Sequence, residues 1–193
     1  MITHVFALLL SLLCIAGVAN AQPSTDSTLV KVENPLYTRW AKFKPGTTTR
    51  IETVTENPKY RIEQSTTYKL IEVSESKVVV ELSIEIRQSG RKDVNPAQSF
   101  THQRWFTLPP GRTKESIIKP ANYTEQGTDK LTIAGKEVDA TWYKSKSRVE
   151  AGDTFVKEWY SDSVPGGLVK EESETPAAKS KTQRIVVDFH SPK

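Results

Sequence analysis

Cysteine is almost missing from this chain: there is one in 193 residues, Cys14. It lies in an N-terminal segment read below as cleaved, so the mature chain has none. That excludes disulfides, thiolate metal sites and a cysteine nucleophile. Histidine is nearly as scarce, with three in all. His4 falls in the same segment, which leaves His102 and His190 as groups that titrate near neutral pH. His102 shares a strand parity with Phe100, Phe106 and Leu108 and reads as a core or rim residue. An excess of one charge is also absent. Lys and Arg number 27 against 23 Asp and Glu, a net charge of +4. The signs are interleaved, as in Lys170-Glu171-Glu172, which describes a mixed solvated surface and not the basic face of a nucleic-acid binder.

Chemical signatures are missing too. There is no Gly-x-Ser-x-Gly elbow, no His-Glu-x-x-His and no phosphate-binding Gly-x-x-x-x-Gly-Lys. No cluster has metal-ligand spacing, and no cofactor is implied. Paired carboxylates occur only in solvated runs such as Glu171-Glu172. Because a triad assembles in space, a hydrolase stands as the third reading, behind two that are not enzymes.

What is present begins with an address. Val5 to Val18 form an apolar run, followed by Ala19-Asn20-Ala21. Small residues at those positions specify cleavage after Ala21, so residues 1–21 read as a signal peptide. Leu13 is too large to precede a lipid-anchored cysteine. The expectation is an exported protein, periplasmic or extracellular, with no transmembrane segment after cleavage. Removing 21 of 193 residues leaves 172, enough to bury roughly 70% of the unfolded surface without staples. Residues 22–33 are polar and read as a flexible leader, and 34–193 as a single domain.

Asn34 and Pro35 form a helix start. Leu36, Trp40 and Phe43 follow on one face, and Lys44-Pro45-Gly46 ends the helix, which spans 35–43. Beyond Gly46 the sequence alternates with period two. Val78, Val80, Leu82, Ile84 and Ile86 share one face, against Lys77, Glu81, Ser83, Glu85 and Arg87. Tyr60 to Leu70 repeats the pattern. Further strands are expected at 48–56, 99–108, 130–133, 137–145, 154–161, 168–172 and 183–190. Turns at Ser74-Glu75-Ser76, Ser89-Gly90, Ala134-Gly135, Ala151-Gly152-Asp153 and Pro165-Gly166-Gly167 separate them. Residues 91–97 and 109–128 read as loops, the second long enough to be a lid or binding loop. Asn122-Tyr123-Thr124 matches a glycosylation acceptor.

The fold class is therefore mainly β: a single curved antiparallel sheet of about nine strands, half-barrel or barrel, with one short N-terminal amphipathic helix. In the open form that helix is the natural cover of the apolar side. The candidate ligand-binding residues are the large aromatics Trp40, Phe43, Tyr68, Trp105, Trp142 and Trp159. Val156 to Lys170 stands out, a strand ending in a turn of restricted geometry that presents Trp159 or Tyr160.

That stretch, Trp159-Tyr160-Ser161-Asp162-x-Val164-Pro165-Gly166-Gly167-Leu168-Val169-Lys170, resembles a signature in secreted bacterial proteins of unknown function. So do Leu131 to Val138 and Asn34-Pro35-Leu36-Tyr37-x-x-Trp40-Ala41-x-Phe43-Lys44-x-Gly46. More distantly, the arrangement is similar to the periplasmic lipoprotein-carrier and lipoprotein-receptor half-barrels, which wrap a curved sheet around an apolar cavity covered by helices. The resemblance implies a lipid or other apolar small molecule as partner. Two readings stay open: a binding protein with its ligand between sheet and helix, and an interaction protein with a filled core that meets another envelope protein.

Overall fold

The computed structural model describes residues 30–109, 111–120 and 122–192. The segment read as a signal peptide and the expected leader up to residue 29 lie outside them. Strand β1 (Lys31–Glu33) comes first, so the stretch read as a leader already forms structure at its end. Helix α1 (Pro35–Ala41) follows, two residues shorter than its apolar pattern suggests. Asn34 caps it: its side-chain oxygen accepts from the Leu36 N–H at 2.9 Å. The buried face carries Tyr37 and Trp40, while Leu36 stands exposed. Tyr37 is drawn inward by its hydroxyl, which donates to the Ser74 carbonyl at 2.9 Å.

A meander comes next: β2 (Thr48–Asn57), β3 (Tyr60–Val73), β4 (Lys77–Gln88) and β5 (Arg91–Gln103). Residues 91–97 are thus strand and not loop. Their exposed polar side chains hide a ladder that runs from Gln88 opposite Arg91 to Ile84 opposite Asn95. The short β6 (Trp105–Thr107) pairs with β1 in a separate two-stranded ribbon. One turn of helix, α2 (Glu115–Ile118), precedes a second meander. That meander is β7 (Tyr123–Ile133), β8 (Lys136–Val149), β9 (Gly152–Tyr160), β10 (Leu168–Thr175) and β11 (Ser180–His190). The expected loop 109–128 therefore ends at residue 122. Tyr123 to Thr128 escape a periodicity reading because they are mostly exposed and polar on both faces.

The two meanders join into one nine-stranded antiparallel sheet, in the order β5-β4-β3-β2-β11-β10-β9-β8-β7. The sheet is open, with β5 and β7 as its edges. The joint is β2 against β11, with Ile51 opposite Val186.

Two apolar clusters hold the sheet's curvature. Beneath α1, Tyr37 and Trp40 pack on Leu70, Val78 and Val80. The larger cluster gathers Ile51, Ile133, Val138, Ala140, Trp159, Val164, Val169 and Val186. The turn between β9 and β10 ties α1 to the sheet. Val164 is fully buried there, and the Thr49 hydroxyl donates to the Pro165 carbonyl at 3.2 Å. Both turn glycines have positive φ, +81° at Gly166 and +83° at Gly167. A Cβ on Gly166 would stand 3.0 Å from the Trp40 ring, and one on Gly167 would stand 2.8 Å from Arg39. The Val-Pro-Gly-Gly stretch is thus a socket for α1, and the two motifs noted in the sequence pack against each other.

Candidate functional site

Between α1, the segment 111–120 and the strands β7–β9 lies an open cleft of about 990 Å³. Helix α1 contributes Pro35, Thr38 and Arg39, and α2 contributes Ile118. The sheet wall is Thr128, Asp139, Thr141, Tyr143 and Tyr160. Successive side chains of a strand point to opposite faces, so Thr141 and Tyr143 of β8 share a face, and so do Glu158 and Tyr160 of β9. Register places Thr141 opposite Tyr160 and Tyr143 opposite Glu158. This face looks toward α1, because the Arg39 guanidinium sits 4.5 Å from the centre of the Tyr160 ring.

A row of rings runs away from Arg39. Tyr160 and Tyr143 are 6.3 Å apart, and Tyr143 meets Tyr123 edge-on at 5.6 Å. The Lys119 ammonium closes the row, 5.0 Å from the Tyr123 ring. Each end of this tyrosine strip therefore carries a cation over a ring face, an arrangement favoured by the ring quadrupole.

Polar groups flank the strip on the same face. The Tyr160 hydroxyl donates to Glu158 at 2.9 Å. Arg184 donates to Glu171 at 3.0 Å. Register lines up Arg184, Glu171, Glu158 and Tyr143 across four strands. Burial pushes the Glu158 carboxyl up, and the Glu171 charge adds to the effect. Burial also raises the Tyr160 phenol, helped by the charge and hydrogen bond of Glu158. The wall thus offers aromatic surface with fixed donors and acceptors. Among the described residues, no group of three His, Cys, Asp or Glu side chains is placed to hold a metal ion. His102 stands on the edge strand β5 opposite Val78, and burial lowers its pKa. His190 is exposed at the end of β11.

The six aromatics expected to line a ligand site separate into three places. Trp40, Phe43 and Tyr68 do come together, in the cluster under α1, with Trp40 and Tyr68 rings 6.4 Å apart. Trp142 and Trp159 are cross-strand partners, but alternation puts them on the face opposite Tyr160. There the Lys157 ammonium lies 4.3 Å from both rings, and the Trp159 indole N–H donates to Asp129 at 2.8 Å. Trp105 is 44% exposed on β6, in the separate ribbon, where the Arg104 guanidinium lies between its ring and that of Tyr37. None of the six lines the cleft beside α1. Nor does any line a second cleft of about 890 Å³, whose walls include Val54, Lys144, Phe155 and Lys157. The residues that do form the wall are Arg39, Tyr143 and Tyr160. Of these the sequence singled out only Tyr160, as one of two options in its strand. Parity separates Trp159 from Tyr160 but does not say which face α1 covers.

No family model matches the chain, and no curated protein matches it in sequence. Solved structures with a similar outline exist. One is a candidate lipoprotein from Parabacteroides distasonis, 12% identical, covering 79% of this chain and 98% of its own, with a TM-score of 0.45. A candidate exported protein with a YmcC-like fold from Bacteroides fragilis is 8% identical, covers 84% and 100%, and scores 0.43. Lipoprotein LppX of Mycobacterium tuberculosis is 8% identical, covers 76% and 87%, and scores 0.34. At such scores and identities the likeness carries no functional weight.

Proposed function

We propose that this is an exported, non-enzymatic binding protein that holds one amphipathic molecule between α1 and the sheet. The observation that carries this reading is the cleft of about 990 Å³ beside α1, walled by Tyr143, Tyr160 and Arg39. Its volume is of the order usual for a small-molecule site, up to ~1,000 Å³, and aromatic walls with a few fixed polar groups are the common form of such sites. Mixed lining favours an amphipathic ligand over a purely apolar one. Arg39 and Lys114 face the same space as Asp139, Tyr143 and Ile118.

The test is native mass spectrometry of residues 22–193 produced with export, with an organic extract of the purified protein run alongside. The expected result is a stoichiometric bound mass that disappears on delipidation and is retained poorly by Tyr143→Ala. A clean apo mass from several hosts would overturn the reading.

One observation favours the second reading, an interaction protein with a filled core. The contact of α1 with β3 and β4 leaves no space, since Leu70 and Val78 are fully buried and Trp40 is 4% exposed. A clean apo mass would turn attention to a protein partner in the envelope.

A further inference from the structure

The ribbon of β1 and β6 has two unlike sides. Val32 and Phe106 face one way, and Val32 is buried. Lys31, Glu33, Trp105 and Thr107 face the other, with Trp105 exposed. Two cations attend the Trp105 ring: the Lys31 ammonium at 5.8 Å and the Arg104 guanidinium at 5.1 Å. The ribbon is tied to the sheet by the Arg104 N–H donating to the Ser76 carbonyl, in the turn between β3 and β4, at 2.7 Å. Beside it stands α2, where Ile118 is 46% exposed between Lys114 and Lys119. Lys114 and Ile118 line the same cleft as Glu33 and Pro35, so the ribbon and α2 both border its rim. Leu36, 43% exposed, follows directly in the chain.

The rim also concentrates charge. Residues 30–36 and 104–120 contain five cations, Lys31, Arg104, Arg112, Lys114 and Lys119, against two carboxylates, Glu33 and Glu115. That excess of three is most of the net +4 of the whole chain. Among the described residues, the ion pair within the rim is Arg104 with Glu33.

We infer that this rim docks on an anionic lipid surface. The cation excess, with the exposed Trp105 ring flanked by Lys31 and Arg104, suits an anionic headgroup layer. A Trp ring settles at headgroup depth, while Lys and Arg stems lie along it and keep their charges in water. The surface does not depend on what the cleft holds, and it opens beside that cleft.

The experiment is co-sedimentation of residues 22–193 with vesicles of phosphatidylcholine alone and with vesicles of equal parts phosphatidylcholine and phosphatidylglycerol. Binding is expected to the mixed vesicles and not to the neutral ones. Each cation near such a surface strengthens binding roughly fivefold, so Lys31→Gln with Arg112→Gln should weaken it roughly 25-fold. Trp105→Ala should weaken it at unchanged charge. Denaturation midpoints equal to wild type show that the variants are folded. Three results each overturn the inference: no binding to mixed vesicles, equal binding to both kinds, or wild-type binding by the charge variant. A clean apo mass in the ligand test leaves this experiment unaffected.

Discussion

Glu158 sits where two demands on one side chain compete. Its carboxylate accepts the Tyr160 hydroxyl at 2.9 Å, which favours the charged form. Burial opposes that and dominates, so the folded protein holds this group above the ordinary glutamate pKa. A raised carboxyl binds its proton more tightly in the folded chain than in the unfolded one. Its stabilising share is therefore complete below the unfolded pKa of about 4.3, and is lost as pH rises through the folded value. Gln at this position still accepts from Tyr160 and carries no charge. Glu158→Gln is expected to be more stable than wild type at neutral pH, with the gap closing on acidification below the glutamate range. Denaturation midpoints at the two pH values check this. An equal gap at both would mean that the charge is not the cause. Little of this was legible in the sequence, because alternation assigns Glu158 and Tyr160 a common face but cannot tell whether that face is covered.

Turn chemistry decides much at the scale of elements, and it was the most legible part. Ser89-Gly90 and Ala134-Gly135 both have two successive residues with positive φ, at 50° and 78°, and 51° and 74°. Such pairs form the tight hairpin turns whose twist matches the strands. Ala134 is the poor fit, since a Cβ in the left-handed region costs about 1–2 kcal/mol. Asn tolerates that region, so Ala134→Asn should stabilise by about 1 kcal/mol. Chemical denaturation, with the midpoint raised at constant slope, is the measurement. A lower midpoint would show that the hairpin is held by contacts beyond its turn. Elements without a period-two signal stayed hidden. Residues 99–103 of the edge strand β5 were read as the start of the strand 99–108, but residues 91–98 are polar and mostly exposed, and their backbone ladder to β4 leaves no trace in hydropathy. The helix start was plain from Asn34 and Pro35. Its buried stripe contains Trp40 and Phe43 as read but starts at Tyr37 instead of Leu36, because the Tyr37 bond to the Ser74 carbonyl is a tertiary contact.

For the molecule as a whole, period two gave the strand count and antiparallel order, since short turns leave neighbours little choice but to pair. It could not supply the joint. The pairing of β2 with β11 brings together strands from opposite ends of the described chain. Stability should be graded from that joint outward. Ile51 and Val186 are buried there, whereas β5 is exposed along nearly its whole length. Hydrogen exchange of the native protein should accordingly be slowest in β2 and β11 and fastest in the outer half of β5. Faster exchange at the joint than at the edge would mean that the meanders separate before their edges fray.

The order of that pairing has a consequence in time. Strand β11 follows every other strand in the chain. As the polypeptide is made, or threads through a pore from its N-terminus, β2–β5 and β7–β10 can each emerge and begin to pair. The partner of β2 is still missing then, and no strand pairing joins the two sets. The nine-stranded sheet is therefore completed only when its last strand in the chain arrives.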